Sequence, residues 1–497
     1  MSAPDRLRGG HDTSAATDVV ASTLGEFGCV VCGQHTKTNE VVAVRSPYDD
    51  SVVAIVHRAG ALEIERAIDG AAAAFAVTRR LPSWQRAQIL EKISAGIAAR
   101  AEELARVIAL EAGKPIRTAR LEVNRAVFTF KVAAEESKRM YGELVPLDWL
   151  PGNERREAIV KRVPLGPVAG ITPFNFPINL VAHKVAPALA AGDPIVVRPA
   201  SQTPVSSLKL AEIVLAAGWP PDAISVVPSS TADARPLVED ERIKLLSFTG
   251  SPAVGWDLKR RAGRKRVALE LGGNAAVIVH GDADLDYAAE RIAWGGFSHA
   301  GQSCISAQRI YVQQPVYARF SDLLVSRVRA LATGDPLDER TDVGPLIDGT
   351  AADRVESWIE EATTAGARVL TGGHRRGNLF EPTVLDGLRP DLQVSCQEVF
   401  APVVGLFPYA EASEAIAAAN ASDFGLQAGI FTHDERVIAA ADDGIEVGGL
   451  MVNDVSAFRI DHMPYGGVRL SGFGREGLRY AIEEMTEMKL VTYNRRT

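Results

Sequence analysis

The stretch VAGITPFNFPINLVAHKVAPALAAGDPIVVR, Val168 to Arg198, reads as one strand–helix–strand unit. Val168-Ala169-Gly170-Ile171 is a short apolar strand, and Pro173 and Pro177 stiffen the turn after it. Residues 178–191 carry apolar side chains at helical spacing until Gly192 stops them. Pro194 to Arg198 is a second strand. The alternation continues with a helix over 204–217 closed by Gly218, a strand from Ile224 to Val227 and a short helix. A strand from Ile243 to Phe248, a helix over 251–262 and a strand from Val267 to Leu271 follow. Such alternation predicts a parallel sheet covered on both faces, which binds ligands at the carboxyl ends of its strands.

The rest of the chain extends this plan. At 497 residues it is too long for one ordinary core. A second alternating block runs from Ala275 to about Val455, a candidate second α/β domain. Upstream, β-rich stretches between Val41 and Val56 surround the turn Ser46-Pro47-Tyr48-Asp49-Asp50. Residues 60–140 read as helices broken at Leu81-Pro82-Ser83 and Gly113-Lys114-Pro115, and two short strands flank Pro151-Gly152-Asn153. After a helix near 478–486, Lys489 to Tyr493 reads as a strand without a local partner, expected to complete a sheet in another subunit. The first 35 or so residues, polar and small, read as a loosely held arm.

Composition excludes several function classes. A net charge of −8, with no basic run interleaved with aromatics, predicts no nucleic-acid partner. The N-terminus lacks an apolar leader and no later run spans a bilayer, so no membrane association and a cytoplasmic location are expected. Four cysteines do not make a disulfide framework. Cys29 and Cys32, with His35, are half of a zinc ligand set, but no second pair follows at a useful spacing, so no metal is expected. Cys396 reads as a packed thiol.

The chemistry concentrates elsewhere. Cys304 sits in Gly-Gln-Ser-Cys-Ile-Ser, thirty-four residues after Glu270-Leu-Gly-Gly-Asn, which pairs a thiol nucleophile with a separate carboxylate base. Asn175, in the stiff turn Pro173-Phe174-Asn175-Phe176-Pro177, offers an amide to an oxyanion. Gly250 and Ser251 end a strand and open a helix at Pro252, either a pyrophosphate site or an ordinary serine cap. Arg198 stands at a strand end where an adenosine ribose would lie, and the position three residues on is Ser201. An uncharged residue there leaves room for a 2′-phosphate, so NADP is expected to be tolerated beside NAD. Gly472-Phe473-Gly474-Arg475-Glu476-Gly477 imitates a dinucleotide fingerprint but follows no strand–helix context, and reads as a loop.

Seven elements in order make the chain, from about residue 40, resemble the aldehyde dehydrogenase superfamily. They are Pro173-Phe174-Asn175-Phe176-Pro177, Lys184 with Ala186-Pro187-Ala188-Leu189, Phe248-Thr249-Gly250-Ser251, Glu270-Leu271-Gly272-Gly273-Asn274, Gly301-Gln302-Ser303-Cys304, Glu398-Val399-Phe400-Ala401-Pro402, and Pro464-Tyr465-Gly466-Gly467 through Ser471-Gly472. The resemblance implies that Cys304 attacks an aldehyde, that Asn175 and the Cys304 backbone N–H hold the oxyanion, and that hydride passes to a nicotinamide. Glu270 would activate the hydrolytic water and Lys184 would steady the catalytic loop. Cofactor contacts are implied for Ile171, Thr172, Pro173, Phe174, Arg198, Ser201, Gly250, Ser251, Leu271, Gly272, Glu398 and Phe400, with Glu398 on the nicotinamide ribose.

This sequence departs from the family pattern at several points: Arg198 replaces a lysine, Ser201 a glutamate, Gln397 a glutamate, Ala401 a glycine and Phe174 a tryptophan. Phe458-Arg459-Ile460-Asp461-His462-Met463-Pro464 and the tail Glu483-Glu484-Met485-Thr486-Glu487 are similar to the lactaldehyde dehydrogenase-like branch. Arg125, His299 and Arg459 are candidates for the substrate tunnel, where cations suit a small anionic or hydroxylated aldehyde; ordinary ion pairing is the competing account of the two arginines.

The resemblance further implies a dinucleotide-binding domain at 1–131 and 152–271, a catalytic domain at 272–465, and an oligomerisation element at 132–151 and 466–497, whose hairpin near 132–151 pairs with the chain's C-terminal strand, in a homodimer or homotetramer. The expected activity is NAD(P)-dependent oxidation of a small aldehyde to its acid. The rivals are acyl transfer from the thioester to coenzyme A, against which Glu270 speaks, and a non-catalytic scaffold of the same fold, against which the intact Cys304, Asn175 and Glu270 speak.

Overall fold

The computed structural model describes residues 22–495 and contains two large sheets, each sandwiched by helices, plus a smaller antiparallel one. In the first, Arg266–Glu270, Leu245–Thr249, Val168–Ile171, Ile195–Arg198 and Ile224–Val226 lie side by side and parallel, in that order. Their side chains are nearly all buried, as strands covered on both faces require. The chain winds one way through Val168, Ile195 and Ile224, then returns to lay Leu245–Thr249 on the other side of Val168–Ile171. Ile171 pairs with Phe248 at this switch point, which opens a crevice between the Pro173 turn and the helix beginning at Pro252.

The edges are antiparallel and come from distant parts of the chain. Gly472–Phe473 pairs with Leu269 and Glu270, so the glycine-rich stretch read as a loop begins as a sheet edge. Cys29–Val31 pairs with Val226 and is followed by Gln34–Thr36, so the described part of the expected arm is built into sheet; its first 21 residues lie outside the described ones.

The second large sheet orders Arg368–Thr371, Thr383–Asp386, Val403–Tyr409, Ala307–Gln313, Ala275–Val279, Gln427–Phe431 and Gly449–Val452, parallel except at its first pair. Helix Leu285–Phe297 packs on it. Asp284 caps that helix by accepting from the Tyr287 N–H, and Phe297 at its far end is buried. Complete burial of such a ring contributes roughly 1.5–3 kcal/mol.

The small sheet moves the expected hairpin further along the chain and pairs it, as expected from the resemblance, with the chain's own C-terminal strand. Helix Ile116–Glu136 runs through the start of the 132–151 segment, and the strands are Glu143–Pro146 and Arg156–Pro164. The C-terminal strand Thr486–Asn494 pairs with Arg156–Pro164 of its own chain over nine residues. Strand periodicity shows that an edge will pair, and here the hairpin of the same chain is the nearest edge. The helix Leu478–Glu484 packs against the nucleotide-side helices Ile116–Glu136 and Asn179–Ala191 instead of joining the small sheet.

Candidate active site

One cavity of about 1380 Å³ occupies the crevice and extends under the loops of the second sheet. Strand ends of the first sheet supply Phe174, Asn175, Gly250, Ser251, Leu271 and Gly272 to its wall. Loops of the second supply His299, Cys304, Glu398, Phe400, Arg459 and Tyr465.

The loop bearing Cys304 is held from several sides. His299 and Ala300 take left-handed backbone angles, φ 51° and 54°. Gln302 locks the loop: its Nε2 donates to the carbonyls of His299 and Pro345, and its Oε1 accepts from the Ile347 N–H at 2.9 Å. Gly273 has no room for a side chain, since a Cβ there would stand 2.1 Å from the Cys304 carbonyl oxygen. The Asn175 Nδ2 donates to the Gln302 carbonyl at 2.9 Å, tying the Pro173–Pro177 turn to the residues just before Cys304. That bond uses one of the two amide hydrogens. The Cys304 Sγ lies 2.9 Å from the Tyr465 hydroxyl, and burial pushes its thiol up to about 12 despite that contact.

Behind Asn175 stands a second buried pair. Glu122 accepts from the backbone N–H groups of Ile178 and Asn179 at 3.1 and 3.2 Å and pairs with Lys114. The Lys114 ammonium lies 3.7 Å from the centre of the Phe176 ring. Both flanks of Asn175 are therefore fixed by charges brought from the Gly113–Glu136 region.

Glu270 ends its strand buried, with Oε2 lacking any hydrogen-bond partner. Burial raises its pKa well above the ordinary carboxylate value, and the nearby Glu476 charge adds to the rise. Burial alone would raise Glu476 too, but Lys184 and Arg459 outweigh it and hold that carboxyl at about 2. Two carboxyls in one buried cluster are thus pushed in opposite directions, Glu476 down and Glu270 up, the separation expected of an acid–base site.

Lys184 donates to Ser247 Oγ at 3.0 Å and Thr249 Oγ1 at 2.8 Å, and pairs with Glu476 at 3.4 Å. It braces the strand end and Glu476, where the expectation had it on the Cys304 loop.

Of the cofactor-side candidates, Pro173, Phe174, Gly250, Ser251, Leu271, Gly272, Glu398 and Phe400 line the other half of the cavity, while Ile171, Thr172, Arg198 and Ser201 are outside its wall. Glu398 Oε1 accepts from the Gly273 N–H at 2.8 Å, and burial pushes that carboxyl up to about 7. Gly272 is required beneath it, since a Cβ would come 2.3 Å from the carboxylate. Phe400 meets Phe174 edge-on, with ring centres 6.0 Å apart. Ile171 and Thr172 are buried at the strand end, the Thr172 N–H bonding the Arg198 carbonyl, and the Leu271 N–H bonds Ser471.

These groups fit a dinucleotide. Ser251 precedes the Pro252–Arg261 helix without making a side-chain cap, and Ser251, Pro252 and Ala253 line the cavity, so an uncapped helix start stands at the crevice. Arg198 Nη2 donates to the Ser229 carbonyl at 3.1 Å while its Nε is buried without a partner, and Arg354 Nη1 on the cavity wall is in the same state. Ser201 beside Arg198 is exposed.

The three tunnel candidates separate. Arg125 forks onto Asp461 at 2.6 and 3.1 Å, yet its side chain stays 30% exposed at the cavity wall. Arg459, 7% exposed, pairs with Glu476 at 3.0 Å and lies 3.7 Å over the Tyr465 ring. Both arginines are in ion pairs, and only Arg125 keeps an open face. His299 is buried with both ring nitrogens unpartnered, and burial holds its pKa well below the usual histidine value. Sequence reasoning missed Tyr465, Glu476, Asp461 and the Lys114–Glu122 pair; the motif Pro464-Tyr465-Gly466-Gly467 pointed at the first without giving its use.

The chain matches the aldehyde dehydrogenase family over residues 34–491. It is 45% identical to 3-sulfolactaldehyde dehydrogenase of Priestia aryabhattai over 470 residues, 94% of this chain and 98% of that one. The crystal structure of aldehyde dehydrogenase 21 from Physcomitrella patens, in complex with the reaction product succinate, superposes with a TM-score of 0.93 at 43% identity, covering 95% of this chain and 99% of that one. Glyceraldehyde-3-phosphate dehydrogenase GapN from Methanocaldococcus jannaschii, complexed with NADP, superposes at 0.89 with 39% identity, covering 92% and 100%.

Proposed function

The chain belongs to the aldehyde dehydrogenase family and is an NAD(P)-dependent oxidoreductase of aldehydes, in its lactaldehyde-like branch, and within that activity we propose the residue roles and the substrate class. Cys304 is the nucleophile. Its thiol proton passes to water, the sulfur adds to the aldehyde carbon as the C=O π bond opens, and the oxyanion so formed is held by the second Asn175 amide hydrogen and the Cys304 N–H. NAD(P) supplies a hydride acceptor when bound. The product of oxidation is a thioester on Cys304, which water hydrolyses to the free acid. Glu270 takes the proton of that water, a role suited by its raised pKa and its unpartnered oxygen. Lys184 and Arg459 hold Glu476 ionised, and the same two cations draw Glu270 towards the carboxylate form that takes the proton.

The first sheet carries the cofactor, with Arg198 and Ser201 at the adenosine ribose, the Gly250–Ser251 helix start at the pyrophosphate, and Glu398 and Phe400 at the nicotinamide end. The substrate is a small aldehyde with an anionic or hydroxylated far end, and Arg125 is the observation that carries this. Around the catalytic end stand four cations, Lys114, Arg125, Lys184 and Arg459, paired with three acids, Glu122, Asp461 and Glu476. Of these cations Arg125 keeps the larger open face, its side chain 30% exposed at the cavity wall against 7% for Arg459.

The small sheet joins copies of this chain into a homodimer or homotetramer, since Tyr141, Leu144, Trp149, Leu150, Met488 and Leu490 stand exposed on or beside it. A cytoplasmic location without nucleic-acid or membrane partners agrees with the acidic charge. No helix among the described residues is long and apolar enough to cross a membrane.

The test is Cys304→Ser. Aldehyde turnover should fall by ~10⁴-fold or more while NADP⁺ binding, followed by tryptophan fluorescence, stays unchanged. Near-normal turnover would remove the assignment.

A further inference from the structure

We propose that Tyr465 is a catalytic residue whose hydroxyl donates a hydrogen bond to the Cys304 sulfur and holds it as the thiolate nucleophile. The Sγ–Oη distance is 2.9 Å, and among the described residues that hydroxyl has no other hydrogen-bond partner. The ring is buried, lines the cavity and belongs to a small apolar cluster with Ile305 and Leu426 against which Cys304 packs. A phenylalanine would fill the same space, so the oxygen's contribution here is its contact with sulfur. Arg459 lies 3.7 Å over the same ring and is fixed by Glu476, and a cation on the ring face draws electron density from the phenol and strengthens its O–H as a donor.

The direction of donation follows from the two groups. Burial raises the phenol well above its usual value, so it keeps its proton, and the sulfur is the partner that ionises. The acids facing the pair oppose that ionisation: Glu270 from the strand end and Glu398 from the cofactor side. Arg459 favours it, and Lys184, Glu476 and Arg475 act at one remove through Glu270. Among the described residues, Tyr465 is thus the neutral side chain that stabilises the thiolate by direct contact.

Hydrogen bonding to a thiolate has two opposed effects. It lowers the pKa and raises the thiolate fraction, but it also lowers the intrinsic nucleophilicity, by 0.4–0.5 of the shift on a logarithmic scale. Loss of the bond therefore slows reaction below the thiol pKa and speeds it above, and the two profiles cross.

The proposal rests on Cys304 being the nucleophile, and its test uses a chemistry independent of the aldehyde. Iodoacetamide alkylates the sulfur: an S–C bond forms, iodide leaves, and the thiol proton has gone to buffer. Alkylation of Cys304, resolved from Cys29, Cys32 and Cys396 by peptide mass mapping, is followed against pH in wild type and Tyr465→Phe. A charge-assisted bond of ~1.5 kcal/mol corresponds to about one pH unit. Tyr465→Phe should move the inflection up by about one unit, slow alkylation about threefold below it and raise the plateau about threefold. Superimposable profiles, or a uniform loss at all pH values, would overturn the proposal. The nucleophile assignment fails separately, by an active Cys304→Ser.

Discussion

The two ends of the cavity are built on opposite principles. At the cofactor end polar groups are left open: among the described residues the Ser251 side chain makes no helix cap, and Arg354 Nη1 on the cavity wall and Arg198 Nε outside its lining have no hydrogen-bond partner. At the catalytic end nearly every charge is already matched: Lys114 with Glu122, Arg125 with Asp461, and Lys184 and Arg459 with Glu476. The open atoms there are few and specific, Glu270 Oε2 and Asn175 Oδ1 among them. A buried polar group without a partner costs free energy that a ligand can recover, so the open end is built to bind. The closed end is built to keep its geometry while charge develops at one carbon, since preorganised groups need not rearrange during reaction.

Removing a charge from the closed end should therefore cost most. Glu476→Gln leaves Lys184 and Arg459 without their shared counterion in a buried site, and stability should fall by about 3–5 kcal/mol, read as a drop in thermal midpoint. The pH dependence has a definite sign. Glu476 is depressed to about 2, so its contribution is present above the ordinary carboxylate pKa and is lost as pH falls through that value towards 2. Without its charge, Glu270 loses a repulsive neighbour, and the acid limb of kcat should move to lower pH in the variant. An unmoved limb with normal stability would break the contrast between the two ends.

Arg125 is the exception inside the closed end, being paired yet open, and a smaller, selective effect is expected there. Arg125→Met should lower kcat/KM for succinate semialdehyde by about 10- to 100-fold, the loss of a hydrogen bond to a charged group, and leave propanal within about threefold. Equal losses on both substrates would return Arg125 to a purely structural pairing with Asp461.

The open end was the more legible in the sequence, and the reason is physical. A crevice at strand ends is assembled from short contiguous turns, so Pro173 to Pro177, Gly250-Ser251 and Leu271-Gly272 each carry their own signal. Parallel strands buried on both faces read as apolar runs, and Ile195–Arg198 and Leu245–Thr249 appear within two residues of where the alternation places them. The closed end is made of pairs across long sequence separations. Arg125 meets Asp461 across 336 positions, Lys184 meets Glu476 across 292, and Cys304 meets Tyr465 across 161. No periodicity encodes such contacts. Glu476 was further hidden in a glycine-rich stretch whose start proves to be a sheet edge. The C-terminal strand was legible as a strand, but its partner came from the resemblance alone, because an alternating edge says nothing about which edge it joins.

The smallest effect belongs to the open end, where one side chain can be changed without disturbing a network. Ser201 is exposed beside Arg198, and no ion pair constrains it. Arg198 is drawn towards the Ser229 carbonyl and Thr231, and the positive Arg58 nearby, together with burial, lowers its pKa. Arg58 is already paired with Glu40, so at the proposed ribose site Arg198 is the cation that favours an added phosphate, and a carboxylate would offset it. Ser201→Glu should lower kcat/KM with NADP⁺ by about tenfold and leave or improve that with NAD⁺, with thermal stability unchanged, because a surface charge contributes little to the fold. The measured quantity is the ratio of the two kcat/KM values. If that ratio holds in Ser201→Glu yet falls in Arg198→Gln, the phosphate is read by the arginine alone, and the serine is only the space that the phosphate enters.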